Sequence, residues 1–306
     1  MALNINKSSC LWRIQLFLRV FLLILFFLPH LLFSQQKHAL LIGISDYPQY
    51  KDSDASWSCI HGSNDVQLIS LILAKQGFKI YSLTNKTATH DAIEKKFKTL
   101  ENNVHPDDIV YIHLSGHGQS VEDENGDEVD GWDEAFIPYD AERRYNEKFY
   151  HGEHHLIDDE LIGYLNSIRK VVGENGIVYV IMDACHAGSS YRGEELEDST
   201  YVRGTDIGFS KTGKLYTPKI DKRGNIQIST IKGYAPLYML EACRSYEVNI
   251  EIKQNGKYYG PLSYYIYQQL LTMPLSFDTK WIEEVRKNMD KDIRLVRQHM
   301  VIESSK

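Results

Sequence analysis

The sequence predicts an α/β fold in three layers, with helices on both faces of a mostly parallel central sheet. Three observations carry this prediction. The runs Ile109-Val110-Tyr111-Ile112-His113-Leu114 and Ile177-Val178-Tyr179-Val180-Ile181-Met182 are short, β-branched or aromatic, and apolar on both faces, as strands inside a parallel sheet are. Between runs of this kind lie stretches whose apolar residues recur at helical spacing. Strands and helices alternate along the chain, the order that builds parallel sheets.

The elements follow in that order. His38 to Ile44 reads as the first strand, and the helix around Asp65 to Gln76 carries Val66, Leu68, Ile69, Leu71, Ile72 and Leu73 before Gly77 stops it. Phe78 to Leu83 is the next strand. Thr89 then caps a helix on which Ile93, Phe97 and Leu100 share a face. The run ending at Leu114, a helix near Asp159 to Val171, the run ending at Met182 and a strand over Leu237 to Ala242 come next. Tyr258 to Met273 and Trp281 to Met300 read as two closing helices, the second with a core-facing stripe of Ile282, Val285, Met289, Ile293 and Val296.

Composition narrows the function. The chain has 306 residues, 43% hydrophobic and 25% charged, enough for one domain with a full core. Its net charge is −7 and it has no Lys/Arg-rich run, which argues against nucleic-acid binding and suits basic substrates. At the amino end, Lys7, Arg13 and Arg19 precede the apolar run Val20 to Leu28, then Pro29 and Ser34, the pattern of a secretory signal. Removal after Ser34 would leave an exported chain, periplasmic or secreted, starting at Gln35. The apolar run is shorter than the ~20 residues of a spanning helix. Leu32 suits a cleavage site poorly, so an uncleaved anchor is the alternative, and membrane contact is expected only in that case. Beyond the signal stand Cys59, Cys185 and Cys243, an odd number that leaves an unpaired thiol in an oxidising compartment. Cys185 is the natural one, and whether Cys59 and Cys243 pair is not set by their spacing.

The two buried runs each end in a polar string, Ser115-Gly116-His117-Gly118 and Asp183-Ala184-Cys185-His186-Ala187-Gly188. Carboxyl ends of strands are where reacting groups sit in an open α/β sheet, so His117 and Cys185 can meet there. A cysteine attacks a carbonyl as its thiolate, and a nearby imidazole raises the thiolate fraction and later protonates the leaving amine. Gly116 and Gly118 allow a sharp turn beside His117, and the N–H groups of Gly118 and Cys185 are placed to bind an oxyanion.

On these strings the chain resembles the caspase-fold peptidases, family C14, and within them the metacaspases and their bacterial caspase-family relatives. The resemblance runs from about His38 to Leu271 and includes Gly260-Pro261-Leu262-Ser263-Tyr264-Tyr265. It implies a caspase-like three-layer α/β/α sandwich and a cysteine endopeptidase acting on protein or peptide substrates. The expected organisation is a signal or anchor over 1–34, a catalytic domain over 37–273 with a polar loop over 190–233, and a helical segment over 274–306. By the same resemblance Asp65, in the string Asn64-Asp65, lines the primary specificity pocket with Ser115 and Asp183. Two carboxylates there would favour arginine or lysine before the scissile bond, arginine above all for its planar fork, and would repel aspartate. The pattern departs from the family at Gly62 or Ser63, where a cysteine is usual, and at Ala187, where serine is common. The alternatives are a peptidase of this fold that cuts after aspartate or asparagine, and an interaction module without turnover. The presence of both His117 and Cys185 speaks against the module.

The loop Ser190 to Gly233 is too long for an ordinary connection and holds Arg192, Arg203, Lys211, Lys214, Lys219, Lys222, Arg223 and Lys232. Relatives are often cut in this region, and self-cleavage after one of these residues is expected. The acidic run Glu122 to Glu134 places Asp123, Asn125, Asp127 and Glu134 at EF-hand offsets, but Glu128 stands where that motif needs glycine, which rejects it. The resemblance implies instead a calcium site on Asp133, Asp158 and Asp159. A further acidic ligand of the family is Arg192 here, which weakens it, and Asp158 otherwise reads as a helix cap. The dyad requires no cofactor, so calcium is the one candidate. His151, His154 and His155 have no zinc-site spacing and read as a solvated loop.

Overall fold

In the computed structural model, which describes residues 35–185 and 200–306, the strands expected to be apolar on both faces are the two at the centre of the sheet. The elements are β1 (Lys37–Gly43), α1 (Gly62–Lys75), β2 (Lys79–Thr84), α2 (His90–Glu101), β3 (Ile109–Ser115), β4 (Gly118–Glu122), β5 (Trp132–Phe136), β6 (Leu156–Ile157), α3 (Asp158–Val172), β7 (Ile177–Asp183), β8 (Asn225–Gln227), β9 (Leu237–Glu241), β10 (Ile252–Gln254), β11 (Lys257–Tyr259), α4 (Pro261–Leu270), α5 (Lys280–Asp290) and β12 (Val301–Ser304). The seven-stranded sheet has the order β2-β1-β3-β7-β9-β12-β8, parallel throughout except where β12 meets β9. Every residue of β3 and β7 is buried, and the two pair in a register that sets Ser115 opposite Asp183. His117 and Cys185 each follow that pair by two residues.

Three layers form because the strand residues alternate between two cores. On one face Leu40, Ile42, Val110, Ile112, Val178 and Val180 pack against α2 and α3. On the other Leu41, Tyr111, Tyr179 and Ile181 pack against α1, α4 and α5. This is the expected caspase-like α/β/α sandwich.

The carboxyl-terminal third departs from expectation. Helix α4 starts at Pro261, because Tyr258 and Tyr259 pair with β10 and Gly260 ends that hairpin. Helix α5 stops at Asp290, and Asp292 caps a separate 3₁₀ turn by accepting from Arg294 N–H. Ile282, Val285 and Met289 are buried as expected, but Ile293 and Val296 lie past the helix end and are 89% and 73% exposed. Segment 274–306 is also not a helical appendage, since β12 enters the main sheet between β9 and β8.

Two local readings are corrected as well. Neither Gly116 nor Gly118 takes a positive φ. Gly116 is small because Phe136 and the Tyr47 hydroxyl close over it. His155 is not solvated but buried, its ring between the Tyr150 hydroxyl at 3.0 Å and Gln119 Oε1 at 3.1 Å.

Burial holds His155 neutral and pulls its pKa down to about 3. The unfolded chain therefore takes up this proton below about pH 6.5 while the native state does not. The stabilising effect of the neutral ring is fully present above that pH and is lost as pH falls towards the native value. At pH 5 this one group should lower stability by about 2 kcal/mol. His155→Gln should gain about that much on the parent between pH 7 and pH 5 in urea unfolding, a comparison in which the other titrating groups cancel. A stability difference that does not move with pH would contradict the buried, neutral assignment.

Candidate active site

His117 is fixed from every side. Its backbone N–H donates to the Tyr47 hydroxyl at 3.1 Å, and its ring stacks on Trp57 with centroids 4.8 Å apart. Nε2 donates to the Ser58 carbonyl at 2.9 Å, which leaves Nδ1 without a hydrogen-bond partner among the described residues. Burial pulls the His117 pKa down to about 4, against the opposing pull of the Ser58 carbonyl. The imidazole is therefore neutral near pH 7 and offers Nδ1 as a proton acceptor. The Cys185 thiol donates to the Glu247 carbonyl at 2.9 Å and packs against Cys243. It is not joined to His117 in this arrangement. Cys59 is exposed and Cys243 is buried beside Cys185, and neither forms a disulfide.

The two N–H groups expected to bind an oxyanion already hold an oxygen. Gly118 N–H at 3.3 Å and Cys185 N–H at 2.8 Å both donate to the carbonyl of Arg203. Arg203 N–H donates to the Asn249 carbonyl at 3.0 Å, Glu251 N–H donates to the Tyr201 carbonyl at 2.9 Å, and Val202 bridges Ile250 in antiparallel sense. Residues 201–203 thus lie as an added strand along 249–251. Gly204 sits so close to Cys185 that a Cβ there would strike the Cys185 carbonyl. The Arg203–Gly204 peptide bond therefore lies against Cys185.

The Arg203 side chain is fully buried beneath this strand. Its Nη2 lies 2.8 Å from Asp65 Oδ2 and 2.9 Å from Glu251 Oε1, and its Nε donates to the same Glu251 oxygen at 3.1 Å. Nη1 donates to Ser115 Oγ at 2.7 Å and lies 3.5 Å from Asp183 Oδ1. Ser115 in turn donates to Asp65 Oδ2 at 2.7 Å. Asp183 is held by Asn249 Nδ2 at 2.8 Å and by the N–H and Oγ of Ser263 at 2.8 and 2.6 Å. Two glycines let the walls close. Gly62 brings the start of α1 against the carbonyls of Ser115 and Ile44, so that Asp65 in the first turn reaches the pocket, and Gly260 leaves room beside Asp183 and Arg203 that a Cβ would fill.

Three carboxylates around one guanidinium leave excess negative charge in a dry site. Burial pushes the Asp65 pKa up to about 7, with Arg203 pulling it back and Asp183 adding to the rise. At Glu251 burial is outweighed by Arg203 and His61, which hold its pKa below the ordinary carboxylate range. Burial works against the Arg203 charge too, yet Asp65, Asp183 and Glu251 raise its pKa above the usual arginine value.

The structure brings together the six residues read from the sequence for the dyad, the oxyanion site and the pocket: His117, Cys185, Gly118, Asp65, Ser115 and Asp183. Glu251, Asn249 and Ser263 were not foreseen, nor was Arg203 as the pocket's occupant. A signal existed for Glu251, a charged residue inside the apolar stretch Val248 to Ile252.

In the acidic loop the carboxylates that come together, among the described residues, share only Asp133 with the expected set of Asp133, Asp158 and Asp159. Asp123, Asp127 and Asp133 each offer an oxygen within 4.8 Å of the others. Asp159 Oδ2 accepts from Asn125 Nδ2 at 2.8 Å. Burial, reinforced by the charges of Asp158, Asp123, Asp159 and Asp127, pushes the Asp133 pKa up to about 7. All these donors are hard carboxylate oxygens, which fit a calcium ion. Asp158 does not cap α3 through its side chain; it opens the helix after Ile157. Residues 1–34, Ala187 and Arg192 lie outside the described residues.

Residues 36–296 match the caspase-domain model of peptidase C14. The chain is 30% identical over 214 residues to metacaspase-1A of Neurospora crassa, an alignment covering 66% of this chain and 40% of that protein. With metacaspase-3 of Arabidopsis thaliana the identity is 29% over 197 residues, 56% of this chain and 49% of that one. With metacaspase-1 of Schizosaccharomyces pombe it is 25% over 267 residues, 75% and 58%. The chain spans less than half the length of the first two relatives. A crystal structure of a Geobacter sulfurreducens protein shares the fold, with a TM-score of 0.61 at 19% identity over 88% of this chain and 93% of that one.

Removing the guanidinium should open the site. In Arg203→Ala three buried carboxylates would face one another unpaired, and admitting water is easier than keeping them dry. Hydrogen exchange should then show lost protection at the Arg203, Gly118 and Cys185 amides with β3 and β7 unchanged, and undiminished protection at those amides would contradict the pairing.

Proposed function

Because the chain belongs to the caspase-domain family, peptidase C14, we propose that it is a cysteine endopeptidase with a His117–Cys185 dyad that cleaves after arginine or lysine, and that its own Arg203 is one such residue. A single observation carries the reading: the Arg203 carbonyl accepts from the Gly118 and Cys185 N–H groups while its side chain is buried among Asp65, Asp183 and Glu251. This is the pose of a bound substrate.

The chemistry then runs through this chain's own groups. The thiol leaves the Glu247 carbonyl and gives its proton to His117 Nδ1, and the thiolate forms a bond to the Arg203 carbonyl carbon. The resulting oxyanion is held by the Gly118 and Cys185 N–H groups. His117 returns the proton to the nitrogen of Gly204 as the carbon–nitrogen bond breaks. A water, deprotonated by His117, then hydrolyses the thioester and frees the arginine carboxylate.

Specificity follows from charge and shape. The guanidinium fork spans Asp65 and Glu251 and still donates to Ser115. A lysine ammonium supplies the charge without the fork, and an aspartate would be repelled by all three carboxylates. The pocket thus argues against cleavage after aspartate, and the intact set of reacting groups argues against a silent module.

This chemistry needs no cofactor. Calcium, held by Asp133 with Asp158 and Asp159, would neutralise the acidic charge there and, through β5 and its partner β4, which begins at Gly118, would bear on activity. Loss of activity on chelation that calcium restores would support such a site, and unchanged activity would remove it. We also propose export under the direction of residues 1–34. Amino-terminal sequencing from the native host should find Gln35 first, and an intact Met1 in a soluble cytosolic fraction would overturn it.

The active protein should part between Arg203 and Gly204 on standing, at a rate independent of protein concentration. Cys185→Ala and His117→Ala should stay whole and lose peptide hydrolysis by ~10³-fold or more. Mass spectrometry checks both, and active enzyme that turns over arginine peptides yet keeps this bond intact would refute the self-cleavage.

A further inference from the structure

We propose that the substrates of this enzyme carry an aromatic residue two positions before the arginine and a glycine directly after it, an aromatic-X-Arg-Gly sequence bound as an added antiparallel strand. The inference rests on the reading of Arg203 as a seated substrate residue and extends it to the positions on either side.

The chain's own segment is Tyr201-Val202-Arg203-Gly204. The Tyr201 ring meets the His61 ring edge-on at 4.6 Å and the Tyr258 ring at 4.7 Å, and His61 and Tyr258 stack on each other at 5.0 Å. Two rings packed together form a ready-made seat for a third, and edge-to-face contact is a favoured aromatic geometry. The Lys253 ammonium lies 5.2 Å above the Tyr258 ring and closes the outer side of the seat.

This seat is coupled to the arginine pocket. Glu251 Oε1 accepts from Arg203 and from His61 N–H at 2.7 Å, while Glu251 Oε2 lies 2.5 Å from His61 Nδ1. One carboxylate thus positions both the guanidinium and the ring against which the aromatic residue packs. The strand bonds of Arg203 N–H to Asn249 and of the Tyr201 carbonyl to Glu251 N–H recur every second residue, so the first and third residues before the cut face the enzyme together. Val202 between them makes the antiparallel bridge to Ile250, and strand alternation turns its side chain away from the face shared by Tyr201 and Arg203, which leaves the middle position tolerant. After the cut, any side chain in place of Gly204 would strike the Cys185 carbonyl, a backbone group of the nucleophile's own strand end.

The test uses the self-cleaved full-length protein and internally quenched peptides containing Tyr-Val-Arg-Gly, Ala-Val-Arg-Gly and Tyr-Val-Arg-Val. The tyrosine peptide should exceed the alanine peptide by about fivefold to tenfold in kcat/KM. It should exceed the valine-ended peptide by about tenfold or more. Tyr258→Ala should bring the tyrosine-to-alanine ratio close to one while arginine stays preferred over aspartate before the cut, and Tyr258→Phe should restore the ratio. Arginine peptides cleaved at equal rates with tyrosine or alanine, or with glycine or valine, would overturn this inference and leave the dyad and its arginine pocket standing. Failure to cleave any arginine peptide would instead overturn the reading on which it rests.

Discussion

Arg203 is fully buried, and the rest of the site is arranged around the cost of keeping it so. Stripping water from a guanidinium is unfavourable unless the lost hydrogen bonds are replaced, and here Asp65, Asp183, Glu251 and Ser115 replace them. The carboxylates have the reverse need, since without Arg203 all three would lose the guanidinium that they share. The pocket and its occupant therefore stabilise each other, and the same contacts place the Arg203 carbonyl on the Gly118 and Cys185 N–H groups. Under the proposed function, the segment that fills the site and the segment posed for cleavage are one piece of chain.

That arrangement depends on a single register. Because β3 and β7 pair with Ser115 opposite Asp183, two pocket residues lie side by side, and the next turns carry His117 and Cys185 to the same edge. A one-residue slip would send every side chain of the strand to the other face and would take Ser115 or Asp183 away from the Arg203 guanidinium. Among the described residues the Nδ1 of His117 is left unbonded because Nε2 is tied to Ser58, and in the proposed reaction that asymmetry selects the nitrogen that would receive the thiol proton.

The central sheet and the strings that hold His117 and Cys185 are legible because they are local. A strand buried on both faces is largely apolar, so the polar strings that follow those runs and hold His117 and Cys185 stand out just past the ends of β3 and β7. The carboxyl end was less legible. The periodic apolar residues continue past Asp290, while the Asp292 cap, a short-range hydrogen bond, stops the helix and frees β12 for the sheet. Glu251 could not be placed from sequence since its partners, Arg203 and His61, are distant in the chain. Arg203 was one of eight basic residues in a polar loop, and only the fold shows which one reaches the carboxylates. The buried His155 was missed for a similar reason: its partners Tyr150 and Gln119 are set by tertiary packing.

If Arg203 fills the specificity pocket of a working nucleophile, a reagent that needs the same pocket must wait for it to leave. The most direct measurement is the rate at which a peptidyl-arginine acyloxymethyl ketone labels Cys185 in freshly isolated whole chain and in chain cleaved after Arg203. Slow labelling of the whole chain, rapid labelling after cleavage, and no labelling by the corresponding aspartate reagent in either form are the predicted results. Equal rates of arginine-directed labelling before and after cleavage would contradict the account.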